Sequence, residues 1–427
     1  MAAPSQARAR HLVSTVLVWS IAAGTIAGVL FRPKDWPEAV WACLGAFLLV
    51  VSGLLPITQA GLAVAKGTDV YLFLTGMMLL AELARHEGVF DWIADVAVRR
   101  SESSASRLFI LIYLTGVVVT ALLSNDATAV VLTPAVLAAV RRAEVEAKPY
   151  LLACAMIANA ASFVLPISNP ANLVVYGRHI PALGPWLKLF LVPSVVSIVV
   201  TYLCLRMLSR KTLAGQIHHS PSRIALRPEG RLALIGLVLA SAALLLASAF
   251  GLDLGAPTCI AAVVALVLVG FKDRSIYPRA LKDVAWGVLP LVAGLFVLVE
   301  ALDQAGMMQL ARHGLEMLLG FSRVAGALGA SFGAAVLSNL MNNLPVGLMS
   351  GAVLAQMPAA QPLSHAILIG VDLGPNLSVT GSLATILWLM ALRRDKVQIT
   401  AGEFFRAGLV AMPPALALSV LLQLALR

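Results

Sequence analysis

Two carboxylates and a set of small amides and hydroxyls are the residues of this chain best suited to chemistry. Asp126 lies in LLSNDATAVVLTP (122–134) and Asp372 in DLGPNLSVTGS (372–382), both within long apolar stretches. An ionisable group at mid-membrane costs at least about 2.5 kcal/mol even on insertion scales, so a working role is its default reading. Loss of water favours the neutral form of a carboxyl, which lets such a group exchange protons near working pH. Asp126 and Asp372 are therefore the candidate proton carriers. Near them in the sequence stand Asn125, Asn169, Asn172, Asn376, Ser378 and Thr380, with Asn342 and Asn343 in SNLMNNLP (338–345). Prolines and glycines accompany these residues, among them Pro166, Pro170, Gly374, Pro375 and Gly381. Proline removes an amide donor and strains the preceding turn. A helix broken in this way points free amides from one stub and free carbonyls from the other, a ready site for polar or ionic solutes.

The elements that must hold these groups are membrane helices. Of 427 residues, 60% are hydrophobic and 12% charged, against about a quarter charged in soluble domains. Apolar runs suited to spanning the hydrocarbon layer fall near 12–31, 39–57, 70–84, 150–176, 187–207, 232–250, 256–271, 286–302, 365–391 and 404–426. The fold class is thus an all-α polytopic membrane protein of about ten transmembrane helices. Two further stretches, 107–141 and 323–357, are each long enough for two short helices and a turn. We read them as re-entrant hairpins with Ser124–Asn125–Asp126 and 338–345 at their tips. Non-helical backbone at that depth survives only where protein buries it or water reaches it.

The net charge of +10 resides in short links between spans, which speaks of topology and excludes a nucleic-acid-binding domain. Basic links at 85–107, 141–148, 206–231, 272–282 and 393–396 are placed in the cytoplasm, with both termini outside, although Arg8 and Arg10 oppose this mildly. The first apolar run is too long for a signal-peptide core and is kept as a helix. Cys43, Cys154, Cys204 and Cys259 are far apart, so neither a disulfide framework nor a zinc site is indicated. Cys154 reads as a small core residue. His218–His219 reads as a surface pair, Thr115 and Ser241 as glue between helices, and Glu82 and Glu300 as interface or helix-packing residues. There is no phosphate-binding G-x-x-x-x-G-K-[ST] loop, no H-E-x-x-H motif and no G-x-S-x-G elbow. An enzyme, a resident metal and a cofactor are therefore not expected.

The chain also repeats itself. Glu82 and Gly88 match Glu300 and Gly306 at an offset of 218, LSN at 123–125 returns at 337–339, and Asn159 corresponds to Asp372 at 213. Each half holds five spans, and an odd number inverts the second copy. The expected organisation is a first repeat over 1–210 (hairpin 107–141, broken helix 150–176), a cytoplasmic linker over 211–230 and an inverted second repeat over 231–427 (hairpin 323–357, broken helix 365–391). Transporters built this way bind substrate near the midplane between the halves.

LLSNDATAVVLTPAV (122–136), ANAASFVLPISNPANLVVYG (158–177), NNLPVGL (342–348) and GVDLGPNLSVTGSLATILWL (370–389) resemble the ArsB-type arsenite efflux permeases of the ion transporter superfamily, and the similarity runs through nearly the whole chain. The resemblance implies two re-entrant hairpins and two broken helices around one site. It also implies export of arsenite and antimonite across a bacterial inner membrane by exchange with protons, in some systems with a soluble ArsA-type ATPase as partner, and a homodimer. Related sodium-coupled carboxylate carriers read Ser-Asn-Thr at both tips. Here Asp126 takes the first Thr position and the second tip reads Ser338–Asn339–Leu340, a departure that weakens the carry-over of sodium coupling and of carboxylate binding and is compatible with a proton-coupled variant. Trivalent arsenite is an uncharged trihydroxide near neutral pH. Asn125, Asn169, Asn172, Asn342, Asn343, Asn376, Ser378 and Thr380 are expected to line its site by exchanging hydrogen bonds, where three thiols would bind too tightly to release. The alternatives are a sodium/proton antiporter or other ion-coupled carrier on the same scaffold, and a passive channel for small neutral hydroxides.

Overall fold

The computed structural model describes residues 3–217 and 224–426, and contains no strand among them. His218–His219 lies outside the described residues. The first part of the chain runs through α1 (Ala3–Phe31), α2 (Glu38–Val51), α3 (Ile57–Lys66), α4 (Thr68–His86), α5 (Val89–Arg100) and α6 (Ala105–Leu122). A break at Leu123–Ser124 leads into a single turn, α7 (Asn125–Ala127), a π-helical turn over Thr128–Leu132 and α8 (Thr133–Arg142). Then come α9 (Lys148–Ala160), α10 (Pro170–Tyr176) and α11 (Leu183–Leu208). After the linker follow α12 (Pro228–Ala249), α13 (Gly255–Gly270), α14 (Ile276–Asp283), α15 (Val288–Gln304), α16 (Met307–Leu319) and α17 (Arg323–Met341). The chain ends with α18 (Asn343–Gln356), α19 (Gln361–Leu373), α20 (Leu383–Arg394) and α21 (Ala401–Ala425).

Seven helical segments among the described residues are long and apolar enough to cross a bilayer, and α3 with α4, bent by 49°, would make an eighth. This differs in detail from ten uniform spans. The run at 39–57 is helical only over the 14 residues of α2, and 256–271 over the 16 of α13, about 21 and 24 Å at 1.5 Å per residue. The runs at 150–176 and 365–391 are interrupted, each helix stopping short of a proline- or glycine-bearing segment. The first arms of the two candidate hairpins, α6 and α17, are full-length apolar helices of 18 and 19 residues.

Glycine lets helices approach where a side chain would intervene. A Cβ on Gly76 of α4 would meet the Thr258 backbone of α13 at 2.6 Å, and one on Gly294 of α15 would meet the Ala42 backbone of α2 at 2.8 Å. Gly294 lies 218 residues after Gly76, and Thr258 lies 216 after Ala42, so the two crossings mirror each other between the halves. Other local devices recur at 218. Gly88 and Gly306 both begin helices with positive φ, 70° and 90°. Ser104 and Ser322 both cap helices by accepting from the amide three residues on, Arg107 and Ala325. Ser241 of α12 donates to the Leu122 carbonyl at the end of α6, 3.1 Å away, which is the helix glue expected of it. Thr115 instead bonds within its own helix, to the Leu111 carbonyl.

Candidate functional site

The two broken helices meet in the middle of the molecule. In the first, α9 ends at Ala160, a loop carries Pro166, and α10 restarts at Pro170 with Asn169 as its cap, accepting from the Ala171 amide at 3.0 Å. Pro170 suits this position because the first turn of a helix needs no amide donor there. In the second, α19 ends at Leu373, a tight turn covers Gly374–Leu377, and α20 restarts after Ser382, which caps it by accepting from the Thr385 amide at 3.2 Å. Each cap reaches across to the opposite half. Asn169 Nδ2 donates to Asp372 Oδ1 at 2.8 Å, and Ser382 Oγ donates to Asn159 Oδ1 at 3.3 Å. Between them Asn159 Nδ2 donates to Asn376 Oδ1 at 3.0 Å, and Asn376 Nδ2 to the Met156 carbonyl at 2.9 Å. Asn159, Asn376 and Asp372 are fully buried, and Asn169 and Ser382 nearly so. Asp372 Oδ2 accepts no well-formed hydrogen bond among the described residues; the Ser162 hydroxyl is close enough to interact with the carboxyl but is turned to the Asn159 carbonyl at 2.8 Å. An oxygen buried without a partner is costly, and a proton or a substrate hydroxyl would relieve it.

A second polar cluster gathers at the end of α17. Ser378 Oγ donates to Asn339 Oδ1 at 2.6 Å and lies 3.0 Å from Thr380 Oγ1, which donates to the Asn339 carbonyl at 3.3 Å. Asn339 Nδ2 donates to the Gly374 carbonyl at 2.8 Å, and the Asn343 amide to that of Gly381 at 2.9 Å. The second tip is thereby stitched to the second break. Asn342 stands in the left-handed region, φ 77°, and caps α18 by accepting from Leu344.

At the first tip Ser124 caps α7 by accepting from the Ala127 amide at 3.1 Å, and Asn125 Oδ1 accepts from the Asp126 amide at 2.9 Å. Asp126 lines a cavity of about 50 Å³ walled by α4, α7 and the π-helical turn, with Glu82, Pro170, Ala285, Val288 and Leu387 completing the wall. The π-helical turn follows at once, a local widening found often at functional sites.

The structure therefore joins Asn169, Asp372 and Asn376 in one network and Ser378 and Thr380 in an adjoining one, and sets Asp126 in a cavity bordered by the residue after Asn169. Asn172 stands apart: its Nδ2 donates to the carbonyls of Ser162, Leu165 and Pro166, tying the first break to itself. Asn125 and Asn342 likewise spend their side-chain oxygens on neighbouring amides. Three residues not assigned to the site from sequence belong to these networks: Asn159, Asn339 and Ser382. The signal was there in the repeat, since an offset of 213 carries Asn159 to Asp372 and also Asn169 to Ser382. All four cysteines are free and Cys154 is buried, with no pair of them joined to the networks. Replacing Cys154 by Ala is expected to leave the fold intact, because a buried Cys behaves as a small hydrophobe; thermal melts in detergent check this.

A family model described as citrate transporter (CitMHS) matches residues 22–370. The chain is 30% identical over 422 residues to the arsenical pump membrane protein of Escherichia coli K12, covering 94% of this chain and 96% of that protein. It is 29% identical over 374 residues to an uncharacterized transporter of Mycobacterium tuberculosis, covering 82% and 84%. Among solved structures it is similar to the YdaH transporter of Alcanivorax borkumensis, with a TM-score of 0.59, 16% identity and 89% of each chain covered. That likeness concerns the fold.

Proposed function

The chain belongs with the arsenical pump membrane proteins in the citrate-transporter (CitMHS) family of multi-pass membrane transporters, and from that premise we propose that it exports arsenite and antimonite from the cytoplasm in exchange for protons. The observation that carries this reading is similarity to an arsenical pump over 94% of the chain, joined to a buried site of neutral hydrogen-bonding groups with two acids. Asn159, Asn169, Asn376 and Ser382, with Ser378, Thr380 and Asn339 beside them, offer donors and acceptors suited to a small uncharged trihydroxide. A citrate-sized polyanion would need cations there, and no lysine or arginine is among the buried residues described. Asp372, with its unpartnered oxygen inside the network, and Asp126, in its own cavity, are the proton carriers.

In this reading residues 1–210 and 231–427 are inverted repeats whose hairpins, 107–141 and 323–357, and broken helices enclose one site. The mirrored glycine crossings and the reciprocal caps, Asn169 on Asp372 and Ser382 on Asn159, support it. The basic links face the cytoplasm of a bacterial inner membrane and both termini face outward. A homodimer and an ArsA-type ATPase partner are extensions by analogy with relatives. Everted membrane vesicles test the proposal: antimonite should accumulate uphill when a pH gradient is imposed, without sodium, and a protonophore should abolish accumulation. A sodium requirement would point to the other ion-coupled carriers on this scaffold, and downhill movement alone to a channel.

A further inference from the structure

The Asp126 cavity has a second acid in its wall, Glu82 on α4, to which the proposed function gives no task. Glu82 Oε2 accepts from Arg85 Nε at 2.6 Å, and Arg85 Nη2 donates to Asp283 Oδ2 of α14 at 2.5 Å. His86, one turn after Glu82, places Nε2 3.9 Å from Glu82 Oε2 and 3.1 Å from Asp283 Oδ2. These three groups are the charged neighbours of Glu82, and Asp126 shares its cavity. His86 borders a second and much larger cavity, about 620 Å³, whose wall includes Glu87, Asp91, Arg142, Asp273 and Arg279. It is open and polar, and its basic residues belong to links assigned to the cytoplasm. Burial pushes the Glu87 and Asp91 carboxyls above their ordinary range, while the Ser275 hydroxyl and amide hold Asp273 below it. One helix thus carries titratable groups a turn apart, Glu82 facing the small, largely apolar Asp126 cavity and His86 facing the larger, polar vestibule.

We propose that Glu82 transfers the proton between Asp126 and the cytoplasmic vestibule, with Arg85 as the clamp that governs when it can do so. The inference rests on the proton exchange proposed above. Protonated Asp126 gives its proton through cavity water to the Glu82 carboxylate, leaving Asp126 ionised and Glu82 neutral. Neutral Glu82 loses its charge attraction to Arg85, which keeps its bond to Asp283. Glu82 then gives the proton to vestibule water, or to His86 Nε2 as that nitrogen gives up its 3.2 Å contact with Arg85 Nη2, and the Glu82–Arg85 pair re-forms. One proton moves at each step and no other reactant is consumed. A cavity of about 50 Å³ has room for a water, since about 10–15 Å³ holds one molecule, and Asp126, Glu82 and Ser124 are the polar groups of its otherwise apolar wall that can hold it. The oxygens and nitrogen of Glu82, His86 and Asp283 lie within 4.8 Å of one another, a spacing that could suit a cation. Arg85 already pairs with both carboxylates there, and its fixed positive charge opposes a metal. The second half lacks the arrangement: Glu300 pairs with Lys66 at 2.7 Å, and its hairpin tip carries Leu340 where the first has Asp126.

The full-length chain in liposomes tests this with two readouts, proton flux driven by antimonite and antimonite-for-antimonite exchange at equal pH. Glu82→Gln is expected to lower proton flux about tenfold or more, the scale of a lost positioned proton-transfer group, while exchange stays within about twofold. Glu82→Asp should recover part of the flux, and Glu300→Gln should leave both readouts unchanged. Equal loss of flux and exchange in Glu82→Gln, or full flux, overturns the relay. Arg85→Gln supplies a test that needs no antimonite, because releasing the clamp should let protons leak through the substrate-free protein; a tight Arg85→Gln protein overturns the clamp. If the parent protein shows no flux with antimonite, the proposed function fails, and the Arg85→Gln leak still reports on the relay by itself.

Discussion

Asp372→Asn is expected to fold as the parent does and to lose pH-driven antimonite accumulation down to the level of protein-free vesicles. The amide is close in shape to the carboxyl, and its oxygen can still accept the 2.8 Å bond from Asn169. Its nitrogen takes the place of Oδ2, the atom that accepts no well-formed hydrogen bond among the described residues. What disappears is the titratable proton. Asp372→Ala should behave differently, because it leaves the Asn169 amide buried without its acceptor. Such an orphaned group costs about 1–3 kcal/mol, so the Ala protein should melt measurably lower in detergent while the Asn protein should not. Comparing melting curves with accumulation separates loss of a proton carrier from loss of structure. Undiminished accumulation in Asp372→Asn would remove Asp372 from the coupling pathway.

Gly408→Ala is expected to impair stability and transport together. Gly408 lies on α21 against the second break, where an added Cβ would stand 2.0 Å from the Asn376 carbonyl oxygen and 2.9 Å from Leu377 Cα. Those atoms are backbone, so neither a rotamer change nor a small side-chain shift relieves the clash. Overpacking of this kind costs about 1–3 kcal/mol, and here the displaced segment carries Asn376, which joins Asn159 to the Met156 carbonyl. The same break has no slack on its other side, because a Cβ on Gly374 would lie 2.5 Å from Ala335 Cα of α17. Gly333, also on α17, has nothing within 4 Å of its added Cβ. Gly333→Ala should therefore be neutral or stabilising, since Ala is favoured over Gly inside a helix by about 0.8–1.0 kcal/mol. Thermal melts of the two variants, measured together, check the contrast.

The acids and the breaks were legible because they violate the apolar pattern around them. Asp126 and Asp372 stand out by charge, and the interruptions at 161–169 and 374–382 stand out by proline and glycine, whose effect on a helix is local. The cross-contacts were only half legible. The repeat linked Asn159 to Asp372, but that each of these meets the other half's cap follows from how the broken helices cross, which no single segment encodes. From sequence Glu82 reads as an interface or helix-packing residue, because its hydropathic setting is that of a helix end. Its place in the wall of the Asp126 cavity depends on α4 and α7 meeting there, although Glu82 and Asp126 are 44 residues apart in sequence. Asn125 and Asn172 share the residue type of the site, yet their side chains satisfy backbone groups left open by the very breaks that mark the site. Amide side chains near a break can serve either purpose, and composition does not separate them. The shortness of α2 and α13 was hidden for a related reason: hydropathy continues past the last helical turn.

Proton movement driven by antimonite, followed by a pH-sensitive dye in sealed liposomes containing only this protein, tests the central claim most directly. An outward antimonite gradient should drive protons inward without ATP and without sodium, the rate should fall when the gradient is removed, and Asp372→Asn liposomes should show no response. Antimonite crossing the membrane with no proton movement, or proton movement that requires sodium, would contradict a proton-coupled exporter.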